Sequence, residues 1–210
     1  MKTFDHVSGE FLATDGAKIY YEVAGSKNKP VLLLLHGGFG NIEDFNTILP
    51  KLNKDFKIIA VDSRGQGKST LGSKKLSYEQ MQKDVESLLA YLKIDTLNII
   101  GFSEGGVIAY RLASLTSLKI NKLVTIGSDW HLKNVESVRE IFLKITGERW
   151  REKFPDTYDA YQKLNPKPDF NFLTDAIVHM WLDPKASGYP NENVKNVRCP
   201  LLIVRGDDDH

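Results

Sequence analysis

Short apolar segments alternate along this chain with segments whose apolar residues recur at helical spacing, and that alternation restricts the possible architectures more than any other feature. It predicts an α/β fold: a mainly parallel, doubly wound sheet with helices on both faces. The candidate strands are 18–23, Val31–Leu35, Lys57–Val61, 97–100, 122–126 and Leu201–Val204. Asp15-Gly16 predicts a hairpin joining the first of these to 11–14. Residues 78–92 place Met81, Val85, Leu88, Leu89 and Leu92 on one helical face, with Glu79, Lys83 and Glu86 outward. Ser77 followed by Gln80 fits a capping box at the start of that helix, and Glu104–Leu115 reads as a second helix packed on the sheet.

The rhythm breaks at 129–193, which is rich in aromatics and carries Pro155, Pro166, Pro168, Pro184 and Pro190. Several short helices joined by kinks are expected there, forming an inserted helical cap whose aromatics mostly fill its own core. The division is then a core over 1–128, a cap over 129–193, and a return to the core over 194–210 with one strand and a loop. Of 210 residues, 41% are hydrophobic and 26% charged, the profile of one soluble domain with an insertion. Lys and Arg total 28 against 27 Asp and Glu, so the net charge of +1 supplies no field to recruit nucleic acid or an anionic membrane. Small-molecule partners are expected. Val31–Leu35 is the longest apolar run, far too short to span a bilayer, and residues 1–11 lack the apolar run of a signal peptide, so the expected location is the cytosol. The single cysteine, Cys199, precludes an internal disulfide and reads as a buried small hydrophobe.

Two segments carry chemistry. Gly101-Phe102-Ser103-Glu104-Gly105-Gly106 joins an expected strand to an expected helix, the context in which Gly-x-Ser-x-Gly forms a nucleophile elbow. Side chains at 101 and 105 would collide in so sharp a turn, and the turn exposes the Ser103 hydroxyl above the sheet. The backbone N–H of Glu104, at the positive end of the following helix, faces a developing oxyanion. His36-Gly37-Gly38-Phe39-Gly40 follows the most apolar strand and aims a second N–H at the same place, from Gly38 or Phe39. His36 reads as ordering that loop through hydrogen bonds rather than as a base.

These two segments, with Asp62-Ser63-Arg64-Gly65-Gln66-Gly67-Lys68-Ser69 after another strand, resemble the α/β-hydrolase fold family, and the likeness covers nearly the whole chain. The resemblance implies a serine hydrolase, esterase-like, with a cap and without metal or organic cofactor. Ser103 would be the nucleophile. Asp209, three residues after Gly206, would be the catalytic acid, with Asp207 as the alternative. Asp62 and Arg64 are expected to pair within their loop. The family also includes C–C bond hydrolases, aminopeptidases and perhydrolases, and fold alone does not choose among them.

In that family the histidine follows the acid after a further helix and strand. This sequence ends at His210, too close to Asp209 to be oriented by it and reach Ser103 as well. His131 and His179 fall in the cap and His6 near the N-terminus, poor places for a base. The expectation is a sequence truncated before its catalytic histidine, with the last strand and helix absent and an apolar sheet edge left uncovered. A binding or signalling protein that keeps the scaffold with slow or no turnover is the rival reading. Glu104, Trp130 and Trp181 are the candidate substrate contacts. Two roles are open for Glu104, pairing with a substrate ammonium or turning to a cap residue.

Overall fold

The computed structural model describes residues 3–207. Its strands are β1 (Glu10–Thr14), β2 (Ala17–Gly25), β3 (Val31–Leu35), β4 (Lys57–Val61), β5 (Thr96–Phe102), β6 (Lys119–Ile126) and β7 (Leu201–Val204). They form one sheet in the order β1-β2-β4-β3-β5-β6-β7. The ladders from β4 to β7 are parallel, whereas β1–β2 and β2–β4 are antiparallel. The sheet is therefore mixed, parallel over most of its width, with an antiparallel hairpin at one edge. That hairpin turns at Asp15 (φ 44°) and Gly16 (φ 75°), where Thr14 pairs with Ala17. Two successive positive φ values match the right-handed strand twist, which is why Asp-Gly encodes the turn.

β3 lies between β4 and β5, and Leu32 to Leu35 are all buried because both faces of the sheet are covered there. On one face, Leu33, Leu35, Ile59 and Val61 pack with α2 (Tyr78–Tyr91) and α3 (Glu104–Leu115). On the other, Leu32, Leu34, Ile58 and Ala60 pack with Ile42, Phe45 and Leu49, the last opening α1 (Leu49–Leu52). Met81, Val85, Leu88 and Leu89 form the buried stripe of α2. Only half of the expected capping box forms: Ser77 Oγ accepts from Gln80 N at 3.1 Å, but the Gln80 amide reaches out to Asp15 and Asp84 instead of back.

Between β6 and β7 the chain builds the cap from α4 (Leu132–Val135), α5 (Arg139–Phe142), α6 (Gly147–Lys153), α7 (Pro155–Leu164) and α8 (Phe170–Trp181). The helices are short because prolines and caps interrupt them; Pro155 opens α7, and the Asp169 side chain caps α8. Asn165 docks the cap on the core, its amide nitrogen lying 3.0–3.2 Å from the carbonyls of Gly65, Gly67 and Ser69. β7 pairs with β6, and Leu201, Leu202, Ile203 and Val204 are all exposed. Cys199 is half-buried against the core, without a disulfide. No helix among the described residues is long and apolar enough to cross a membrane.

Candidate active site

The turn between β5 and α3 is strained at one residue. Ser103 has φ 49° and ψ −115°, a conformation that costs an L-residue on the order of 1–3 kcal/mol. Its surroundings hold it there. Ser103 N donates to Ile126 O on β6 at 2.8 Å, and Ser103 O accepts from Gly106 N and from Ser128 Oγ, at 2.9 and 2.8 Å. A Cβ on Gly101 would stand 2.5 Å from Gly105 O, and one on Gly105 would strike Leu35 O, so close backbone approach requires both glycines. The Ser103 hydroxyl makes no capping bond to α3, and the residue is half-buried, leaving Oγ available on the surface of the turn.

The loop after β3 comes to the same place. A Cβ on Gly37 would lie 3.3 Å from Ser103 Cβ, and one on Gly38 would lie 3.2 Å from Glu104 Oε2. Phe39 sits at φ 62° and is buried, and the loop is closed by Gly40 N donating to Gly37 O at 3.1 Å. Among the described residues, the backbone N–H groups of Gly38, Phe39 and Glu104 have no protein acceptor. His36 is fully buried. Its Nε2 accepts from Ser63 N at 2.9 Å, so Nδ1 carries the proton and donates to Gly37 O at 2.7 Å. Both nitrogens hold loops, leaving none to act as a base.

Glu104 turns to the cap. Its carboxylate accepts from Trp181 Nε1 at 2.8 Å and from Gln66 Nε2 at 2.5 Å, and the residue is 2% exposed. Burial pushes its carboxyl above the usual range, with the Trp181 and Gln66 N–H groups drawing it partly back. Trp181 in turn covers Gly38, where a Cβ would meet its ring at 2.6 Å. Phe39, on the loop after β3, penetrates the cap, its ring 4.1 Å from Trp150, 5.6 Å from Phe170 and 5.8 Å from Trp181 by centroids. The aromatics of the cap thus close on a core residue as well as on one another. Two buried side-chain atoms lack hydrogen-bond partners among the described residues, Gln66 Oε1 and Trp150 Nε1, and both residues touch this cluster. Unpaired buried polar atoms are costly, so these two stand out against a core whose polar groups are otherwise paired.

Other expected residues lie elsewhere. Trp130 packs on Tyr110 of α3 with centroids 6.0 Å apart, and shares no ring contact with the Phe39–Trp181 cluster. Asp62 and Arg64 do not pair with each other. Asp62 accepts from His6, Ile42 N and Lys68 N, while Arg64 makes a bidentate pair with Asp84 at 2.5 and 2.7 Å. Each finds partners distant in sequence instead. His131 caps α4, and exposed His179 bonds Asp175 O within α8. None of these four described histidines is hydrogen-bonded to Ser103. Asp207 is exposed just past β7, at the same C-terminal end of the parallel strands as Ser103. Asp209 and His210 lie outside the described residues. Gln66, Trp150 and Asn165 escaped the sequence reading; Gln66 stood in a quoted motif, but nothing local distinguished it or the other two.

The sheet order, elbow and cap define a class, and residues 30–180 match the alpha/beta hydrolase fold: the chain belongs to that family. Among individual proteins it is similar to human serine hydrolase BPHL, 28% identical over 220 residues, spanning 97% of this chain and 71% of that protein. It is also 32% identical over 154 residues to esterase YbfF of Escherichia coli, covering 72% of this chain and 60% of that one. A probable hydrolytic enzyme from Pseudomonas aeruginosa shares the fold with a TM-score of 0.74 at 19% identity, over 98% of this chain and 76% of that structure.

Proposed function

We propose that this chain carries the nucleophile, oxyanion donors and cap of a serine hydrolase acting on carboxylic esters or related small acyl compounds. The observation that supports it most is the strained Ser103, whose unused hydroxyl adjoins the unengaged N–H groups of Glu104 and of Gly38 or Phe39. Ser103 Oγ attacks the acyl carbon, its proton passes to a histidine, and the oxyanion collects on those backbone donors. The histidine returns the proton to the leaving alcohol, and water then hydrolyses the acyl-enzyme. His6, His36, His131 and His179 are all engaged away from Ser103, so the base in this reading comes from outside residues 3–207. Asp209, with Asp207 as the alternative, is assigned to orient it. The test is labelling of the full natural protein by a fluorophosphonate, together with ester turnover. Ser103→Ala should abolish labelling and lower turnover on the order of 10⁴-fold or more; unchanged labelling would end the proposal.

A narrower reading concerns the substrate. Among the described residues no cation pairs with the Glu104 carboxylate, and the orphaned Gln66 Oε1 adds a second acceptor beside it. Such an acceptor-rich patch next to the nucleophile favours a donor-rich substrate group such as a protonated amine. Glu104→Gln should weaken turnover of a cationic ester more than that of a neutral ester of equal size. Equal losses for the two would remove the ammonium and leave Glu104 as an anchor for Trp181, with the hydrolase reading intact.

A further inference from the structure

The β1 edge of the sheet carries a groove that Ser103 does not share. The hairpin of β1 and β2 and the loop through Gly65 and Leu71 form one wall, residues between Tyr161 and Leu173 form the other, and the half-open space between them is about 1190 Å³. None of Ser103, Gly38, Phe39, Glu104 and Trp181 lines it. Its walls present apolar surface to water: Phe11 is 49% exposed and Phe172 61% exposed, with Leu71 and Tyr161 deeper in. Each wall also contributes an exposed lysine, Lys18 from β2 and Lys167 from the connection between α7 and α8. Neither ammonium group has a carboxylate partner among the described residues.

The two acids in the same lining keep their charge but have partners of their own. Asp15 accepts from Gln80 at 3.0 Å and lies in the field of Lys74, Arg64 and Lys83, which together hold its carboxyl below the usual range. Asp169 spends an oxygen on Phe172 N at 3.0 Å as the cap of α8. What each wall leaves exposed is one ring, Phe11 (edge-on to Tyr20 at 5.1 Å) or Phe172, and one ammonium without a carboxylate partner among the described residues.

We propose that this groove binds an amphiphilic organic anion, a carboxylate on an alkyl chain of about ten carbons, a size that pockets of this order accept. The chain lies between Phe11 and Phe172, where each methylene removed from water adds to binding, and the carboxylate is held by Lys18 and Lys167. Because those lysines are exposed, salt weakens their share of the affinity. The inference does not depend on the chemistry assigned to Ser103, since the two sites share no residue named for either. The rival apolar surface is β7, at the opposite edge of the sheet.

Titration calorimetry of the full chain with decanoate, and with decyltrimethylammonium as the cation of matched length, tests it. Decanoate should bind one to one, about tenfold more weakly after Lys18→Ala or Lys167→Ala, and below detection after Phe172→Asp. Decyltrimethylammonium should bind at least about tenfold more weakly than decanoate. All three substituted side chains are exposed, so the fold is preserved, and an unchanged melting curve verifies that. Equal affinity across the variants, equal affinity for the cation, or no decanoate binding would each overturn the proposal.

Discussion

Two carboxylates are buried at opposite ends of the Asp62–Gln66 loop, and the chain treats them differently. Asp62, fully buried, accepts from Ile42 N, Lys68 N and the His6 ring, whose other nitrogen meets Glu43 at 2.7 Å. Two carboxylates on one imidazole require both ring nitrogens to carry protons, so this ring is a cation compensating a buried anion. Burial alone would lower the His6 pKa, but Asp62 and Glu43 together raise it above 6.5. Glu104, equally secluded, receives among the described residues only neutral N–H groups, from Trp181 and Gln66. A buried charge is stable when paired and costs several kcal/mol when it is not. The paired carboxylate therefore belongs to the scaffold, fastening the N-terminal segment to the loops that carry Ile42 and Lys68. The carboxylate without a cation partner among the described residues stands beside Ser103, and under the proposed function its stability cost is offset by its use in binding or chemistry.

Substitutions at the two carboxylates test this difference. Asp62→Ala should have the largest effect, a loss of about 3–5 kcal/mol in urea unfolding, because it strands a buried imidazolium and two backbone donors. At Glu104 the outcome depends on shape rather than charge. Glu104→Ala leaves Trp181 Nε1 and Gln66 Nε2 unpaired and should cost about 1–3 kcal/mol. Glu104→Gln still accepts from Trp181, and a turned Gln66 amide lets its orphaned oxygen accept in return, so stability should change by less than about 1 kcal/mol or rise. If Glu104→Gln instead destabilised as severely as Asp62→Ala, both carboxylates would be scaffold and the contrast would fail. The smallest effect is in pH dependence. His6 has a raised folded pKa, so its contribution is complete below 6.5, its unfolded value, and fades as pH rises through the folded one. The stability difference between the parent protein and His6→Gln should therefore shrink on the alkaline side; a difference constant with pH would show that the ring serves by shape alone.

The elements legible in advance were those encoded by neighbours. Asp15-Gly16 dictated its hairpin, Val31–Leu35 its buried strand, and Glu104–Leu115 its helix to the residue, while β2, β5 and β6 each run longer than their apolar runs suggested, since ladder partners extend a strand past its hydrophobic core. The elbow at Ser103 was legible for the same reason: its glycines answer to contacts within a few residues or with the adjoining strand. Tertiary structure alone decided the long-range side-chain partners. Glu104 meets Trp181 across 77 positions, His6 meets Asp62 across 56, and Asn165 crosses about a hundred to reach three carbonyls. Backbone conformation follows from local sterics and periodicity, which a sequence displays directly. Which polar side chains meet inside depends on how complete elements pack, and no local pattern carries that information.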